Sequence, residues 1–139
     1  MTQGPIIAGL VLAAGESSRM GRDKALLPYR GRTFVETIVA KLREAGIASI
    51  AVVLGHHADE IRRAVTLPGV DVVINRDYMR GQTSSLQKGL AAFEASPGTE
   101  AEAINAILLC LVDHPAFESS TVSVLIEAFA RTRAAITQG

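Results

Sequence analysis

An excess of charge of one sign, a second cysteine and a long apolar run are all missing from this 139-residue sequence. Its 14 Lys and Arg are balanced by 14 Asp and Glu. That balance leaves no broad electrostatic footprint for DNA or RNA, so any anion must be met by a local cluster. A lone cysteine, Cys110, cannot form an internal disulfide, which fits a reducing compartment. It sits in the run Ile107-Leu108-Leu109-Cys110-Leu111-Val112 and reads as a small buried hydrophobe rather than a reactive thiol. The start carries no basic segment, and the apolar stretch Ile6–Ala14 is too short to cross a bilayer. The expectation is a soluble, cytoplasmic protein that engages neither nucleic acid nor membrane. Repeats, linkers and low-complexity tracts are absent too. With 48% hydrophobic and 20% charged residues, the composition favours a packed core over disorder. The length suits one domain, residues 1–139.

What is present is an alternation of short apolar runs with helical patterns, the signature of a parallel sheet covered by helices. Ile6–Ala13 is almost continuously apolar, as in a central strand buried on both faces. A glycine- and charge-rich loop follows, from Gly15 to about Gly31. Thr33 and Glu36 form a T-x-x-E capping box, which predicts a helix to Ala45 with Gly46 in left-handed geometry beyond it. Val35, Ile38, Val39 and Leu42 recur at helical spacing and face the sheet. Further strands are expected at Ile50–Leu54, Val70–Ile74 and Ala106–Val112. Helices are expected at about Ala58–Val65, from a Thr83 or Ser84 cap to about Ala95, and over about Ser120–Arg133. The fold class is therefore α/β, a three-layer, doubly wound, mostly parallel Rossmann-like sheet. Such folds bind ligands beyond the C-terminal ends of their strands, where three polar segments fall.

The first is Leu12-Ala13-Ala14-Gly15-Glu16-Ser17-Ser18-Arg19-Met20-Gly21-Arg22-Asp23-Lys24, and its chemistry suits a polyphosphate. Small residues at Ala13, Ala14 and Gly15 allow close approach of the backbone. Ser17 and the backbone N–H groups can donate to phosphate oxygens. Arg19 offers a planar fork and Lys24 a compact charge. A triphosphate carries roughly four negative charges near neutral pH, so two or three local cations are of the right order. Neither the P-loop ending G-K-[ST] nor the G-x-G-x-x-G fingerprint is present. From composition alone, a solvated loop with scattered charges would serve as well.

The second segment, Asn75 to Leu90, opens a helix with Thr83, Ser84 and Ser85. Free N–H donors and a positive dipole end suit an anion or a base edge, although an ordinary N-cap explains Thr83 by itself. Arg76 and Arg80 could meet an acceptor phosphate or simply be solvated. The third segment is Asp113-His114-Pro115, closing the last strand. There a carboxylate is either a turn cap or a metal ligand, and Mg²⁺ prefers one or two carboxylates plus substrate phosphates. A zinc site from His56, His57, Cys110 and His114 matches no template spacing.

Taken in order, L-A-A-G-x-S-x-R-M-G-x-x-K-x-L-L-P over Leu12–Pro28 closely resembles the signature of the molybdenum-cofactor nucleotidyltransferases, relatives of the sugar-nucleotide pyrophosphorylases. N-x-x-[YF]-x-x-G-x-x-S-S-L-x-x-G-L over Asn75–Leu90 is similar to the cytidylyl branch of the same family. The resemblance implies a nucleotide-diphospho-sugar-transferase-like fold in which Leu12, Ala13, Ala14, Gly15, Ser17, Arg19, Gly21 and Lys24 wrap the nucleoside triphosphate. Asn75, Gly81, Ser84 and Ser85 would meet its base and ribose. Arg19, Lys24 and Asp113 would be catalytic, with Asp113 holding Mg²⁺ as cofactor. Ala14, where the guanylyl branch has glycine, favours CMP over GMP as the transferred group. The acceptor implied is a phosphorylated small molecule, molybdopterin-like, with His56-His57 near it or in a plain polar loop.

The chemistry expected is in-line attack by an acceptor phosphate oxygen on the α-phosphorus, with loss of pyrophosphate. An anionic acceptor demands no general base, so the work is positioning and charge neutralisation. Family members run longer, so the family's C-terminal portion is expected to have no counterpart here. A partner subunit or a dimer is compatible with that expectation. The alternatives are a nucleotide-binding or regulatory module without turnover, and a transferase for a sugar or isoprenoid phosphate, whose proline-lysine pair is absent here.

Overall fold

The computed structural model describes residues 6–14, 26–55, 58–95, 104–112 and 116–138. In chain order the elements are β1 (Ile6–Ala13), β2 (Pro28–Tyr29), β3 (Arg32–Thr33), α1 (Phe34–Glu44), β4 (Ile50–Leu54), α2 (Ala58–Ala64), β5 (Asp71–Ile74), a 3₁₀ turn (Tyr78–Arg80), α3 (Gln82–Ala95), β6 (Ile104–Leu111) and α4 (Ser119–Gln138). The four long strands form one parallel sheet in the order β5-β4-β1-β6. As expected, β1 is central. It pairs Gly9–Ala13 with Ile50–Leu54 on one side and Ile6–Leu12 with Ile104–Leu111 on the other.

The continuous apolar run of β1 follows from its two covered faces, because alternate side chains serve alternate layers. Val11 and Ala13 join Val52, Leu54, Val35, Ile38, Leu42, Ile61 and Val122 beneath α1, α2 and α4. Leu10, Leu12 and Ala14 join Ala51, Val53 and Phe93 beneath α3. This is the three-layer, doubly wound α/β arrangement. On the α3 face the layers approach closely at Gly89, where an added Cβ would lie 2.4 Å from Leu10 Cδ1.

Helix α1 begins as its capping box requires. The Glu36 N–H donates to Thr33 Oγ1 at 3.3 Å, and the Thr33 N–H donates to Glu36 Oε1 at 3.1 Å. Burial raises the Glu36 pKa, but the bonds from Thr33 and Thr66 and the charge of Arg32 outweigh it, leaving the carboxyl below its ordinary value. Gly46 closes the helix with φ +93. Two local expectations are corrected. Residues Pro28–Thr33 fold as a small antiparallel hairpin rather than loop, turning through Arg30 (φ 51) and Gly31 (φ 88). Helix α3 starts at Gln82, so Thr83 and Ser84 lie inside its first turn instead of capping it. The left-handed Gly81 (φ 102) breaks the chain there, and the Ser84 hydroxyl is bonded to the Gly81 and Asp77 carbonyls.

Candidate nucleotide site at the strand ends

The parallel sheet brings the C-terminal ends of its strands to one rim. Just past β1, β4 and β5 the chain passes through Ala14, Gly55 and Asn75. Gly55 shows how tightly these exits pack: an added Cβ would lie 2.6 Å from Tyr78 Cβ and 3.0 Å from both the Cβ and carbonyl oxygen of Ala14. Only a residue without a side chain fits between them. The fourth exit joins through its backbone, since the Val112 N–H donates to the Leu12 carbonyl at 3.1 Å. Val112 immediately precedes Asp113, and Ala14 immediately precedes Gly15. Three of the expected site residues, Leu12, Ala13 and Ala14, are described and buried in this rim. Gly15, Ser17, Arg19, Gly21, Lys24 and Asp113 lie outside the described residues, as do His56, His57 and His114.

The segment after β5 is organised by Asn75, which is fully buried. Its backbone N–H donates to the Leu54 carbonyl at 2.7 Å, continuing the β4 pairing past the strand end. The side-chain amide donates to Ser84 Oγ at 2.9 Å and to Ser85 Oγ at 3.0 Å. Its carbonyl oxygen accepts the Asp77 N–H at 3.0 Å. Ser84 passes a bond on to the Gly81 carbonyl at 2.8 Å. Of the three polar side chains expected to read a base, Asn75 is thus bonded to both serines. They lock the 75–85 turn onto α3, and Gly81, with an exposed backbone, stands at its outer corner. Gly81 adopts a φ that L side chains rarely take, so its backbone rather than any side chain sets that corner.

Beside this turn, a cleft of about 530 Å³ opens between β4, β5 and α2. Gly55 and Ile74 lie in its wall with Arg63, Arg76 and Tyr78, while Asp59 and Glu60 add carboxylates. Arg76 therefore lines a cavity, although its side chain is exposed. The sequence offered a signal for the Gly55 contact, a glycine directly after a fully buried strand, that periodicity did not exploit.

Among the described residues, no group of three or more His, Cys, Asp or Glu could hold a metal ion. Cys110 is partly buried, and burial pushes its thiol up to about 11. At neutral pH that burial holds it as the thiol, a poor nucleophile. None of the described helices is long and apolar enough to cross a membrane.

The profile of the MobA-like NTP transferase domain matches residues 9–138 of the chain. A protein of Paenarthrobacter nicotinovorans named nicotine blue oxidoreductase is 38% identical over 123 residues, which are 88% of this chain and 56% of that protein. A probable molybdenum cofactor guanylyltransferase of Opitutus terrae is 35% identical over 133 residues, 94% of this chain and 59% of the relative. Among solved structures, Rv0371c of Mycobacterium tuberculosis H37Rv superposes with a TM-score of 0.77 at 33% identity, over 93% of this chain and 62% of that one. Its manganese complex superposes at 0.71, with 32% identity and the same coverage. The chain thus spans about three fifths of the length of each of these relatives. Its fold is that of the nucleotide-diphospho-sugar transferases.

Proposed function

The chain belongs to the MobA-like NTP transferase family, and from that premise we propose that it binds a magnesium–nucleoside triphosphate at the strand-end rim and transfers the nucleoside monophosphate to a phosphorylated acceptor of molybdopterin type. The observation that carries this reading is the contact of Ala14, Gly55 and Tyr78, together with the bond from Val112 to Leu12. It supports the reading because the residues next to Gly15 and Asp113 are neighbours across one rim.

In the proposed site, Leu12, Ala13, Ala14, Gly15, Ser17 and Gly21 let the backbone run close to the nucleotide, and Arg19 and Lys24 neutralise its phosphates. Asn75, Gly81, Ser84 and Ser85 form the wall for base and ribose, the first and last two by holding Gly81 in place. Asp113 would hold Mg²⁺, which supplies charge neutralisation when bound. One carboxylate beside phosphate oxygens is a donor set suited to that ion, and a relative is known as a manganese complex. An oxygen of the acceptor phosphate forms the new bond to the α-phosphorus. The bond from the α-phosphorus to the bridging oxygen breaks, and pyrophosphate leaves with its electron pair. Because the acceptor is already anionic, no residue need remove a proton. Lys24 meets the charge that develops on the α-phosphoryl oxygens, a contribution on the order of 10²–10³ in rate.

Ala14 favours a cytidylyl donor, whereas the molybdenum-cofactor relatives carry guanylyltransferase names. Parallel calorimetric titration with CTP and GTP, with and without Mg²⁺, separates the two donors. Pyrophosphate release is then followed with a molybdopterin acceptor for the wild type, Lys24→Ala and Asp113→Ala. Wild-type turnover that collapses in both variants is expected; equal turnover in all three removes both residues from the mechanism. A second reading is a nucleotide-binding module without turnover, and one relative carries an oxidoreductase rather than a transferase name. Nucleotide binding with no pyrophosphate released would select that reading.

A further inference from the structure

We propose that Lys41, on α1 and outside the rim, is a positioning residue that ties together the two chain segments returning from Lys24 and from Asp113. The inference rests on the nucleotide reading above for its functional consequence, not for its geometry. The Lys41 ammonium lies 5.3 Å from the centroid of the Tyr29 ring and 5.2 Å from that of Phe117. Both distances fall within cation–π range. Tyr29 stands five positions after Lys24, and Phe117 four positions after Asp113. One cation therefore bridges the first Phe, Tyr or Trp that follows each of the two proposed catalytic groups in the chain.

The rest of the arrangement makes this bridge stiff. Tyr29 belongs to the small hairpin and meets the Phe34 ring edge-on, with centroids 6.1 Å apart and planes at 82°. The hairpin is fastened to the start of α1 by the Phe34 N–H, which donates to the Leu27 carbonyl at 2.8 Å. On its other face α1 is set into the core by Val35, Ile38 and Leu42, none of which is exposed. The Lys41 stem is thus mounted on a fixed helix, and only its half-buried head reaches the two segments. Arg30 also approaches Tyr29, at 5.4 Å, so that ring has two cations near it. Arg32 and Glu44 line the same hollow as Lys41. Lys41 is not itself a member of the apolar core clusters. Its removal should loosen two segments without unseating the sheet.

Hydrogen exchange of the full chain tests the geometry without requiring activity. In Lys41→Gln, which keeps most of the stem but not the charge, amides in 26–30 and 116–118 should exchange on the order of tenfold faster. Those of β4 and the second half of α3 should be unchanged. Lys41→Arg should restore slow exchange in both segments. Pyrophosphate release then reads the consequence: kcat falls in the Gln variant, the Arg variant recovers it, and the melting temperature barely moves. Unchanged exchange in both segments of Lys41→Gln, or a uniform rise across the whole chain, overturns the proposal. If the exchange pattern appears while the wild type releases no pyrophosphate, the bridge stands and the transfer reading falls.

Discussion

Replacing Asn75 with alanine is the sharpest test of the site's architecture. The side chain is fully buried and makes three hydrogen bonds, to Ser84, Ser85 and the Asp77 N–H. Each is worth about 1 kcal/mol net, and a buried partner left unsatisfied costs more. Asp77 is exposed and recovers a bond to water, whereas Ser85, at 3% exposure, does not. The expected loss is therefore about 2–3 kcal/mol, a large share of a total stability of roughly 5–15 kcal/mol. For a chain of this length that corresponds to a fall in melting temperature of about 10 °C. Urea and thermal unfolding followed by far-UV circular dichroism provide the assay, and nucleotide titration should show weakened binding as the turn loosens. A loss below about 0.5 kcal/mol would refute the argument that Asn75 organises this wall. The near-isosteric Asn75→Asp adds a titration. Burial disfavours the carboxylate, so its folded pKa rises above the unfolded value near 4. The variant should be closest to wild type below about pH 4 and lose stability as the pH climbs through the folded value.

Gly89→Ala should destabilise although alanine is the better helix former. The new methyl meets Leu10, itself fully buried, and overpacking of this kind costs about 1–3 kcal/mol, readable by urea denaturation. Gly55→Ala should weaken nucleotide binding, because its Cβ collides with Tyr78 and with the Ala14 backbone; unaltered calorimetric affinity would contradict the close-approach argument. Thr33→Ala should cost about 1 kcal/mol near neutrality. Because the folded pKa of Glu36 is lowered, its contribution is present above the unfolded pKa and lost as pH falls through the folded value, so the mutant penalty should shrink in acid. Cys110 should react slowly with iodoacetamide at pH 8 and accelerate only as the pH nears 11; rapid labelling of the native protein at pH 8 would contradict its burial.

The parts of the fold that local chemistry dictates were legible from residues alone. Thr33 with Glu36 announces a helix start because two orphan donors are satisfied reciprocally, and Gly46 announces its end. Ile50–Leu54 reads as a buried strand because it is apolar throughout and bounded by polar residues and a glycine. The hairpin at Pro28–Thr33 was not legible: Arg30-Gly31 lacks the Asn-Gly or Asp-Gly turn pair, and two-residue strands carry no period. In the site, the composition of the 75–85 turn was visible but its wiring was not. An asparagine nine and ten positions before a pair of serines looks the same in sequence whether it faces a ligand or those serines. The Lys41 bridge was equally hidden, since it joins residues far apart in the chain.

The seating of α3 has a consequence for selectivity. Gly89 lets the helix rest directly on Leu10, and Asn75 bolts the helix start to the end of β5. A partition fastened at both its middle and its end offers one contour. In the proposed nucleotide reading, that wall discriminates between purine and pyrimidine by the residues it carries, so a changed preference calls for substitution there.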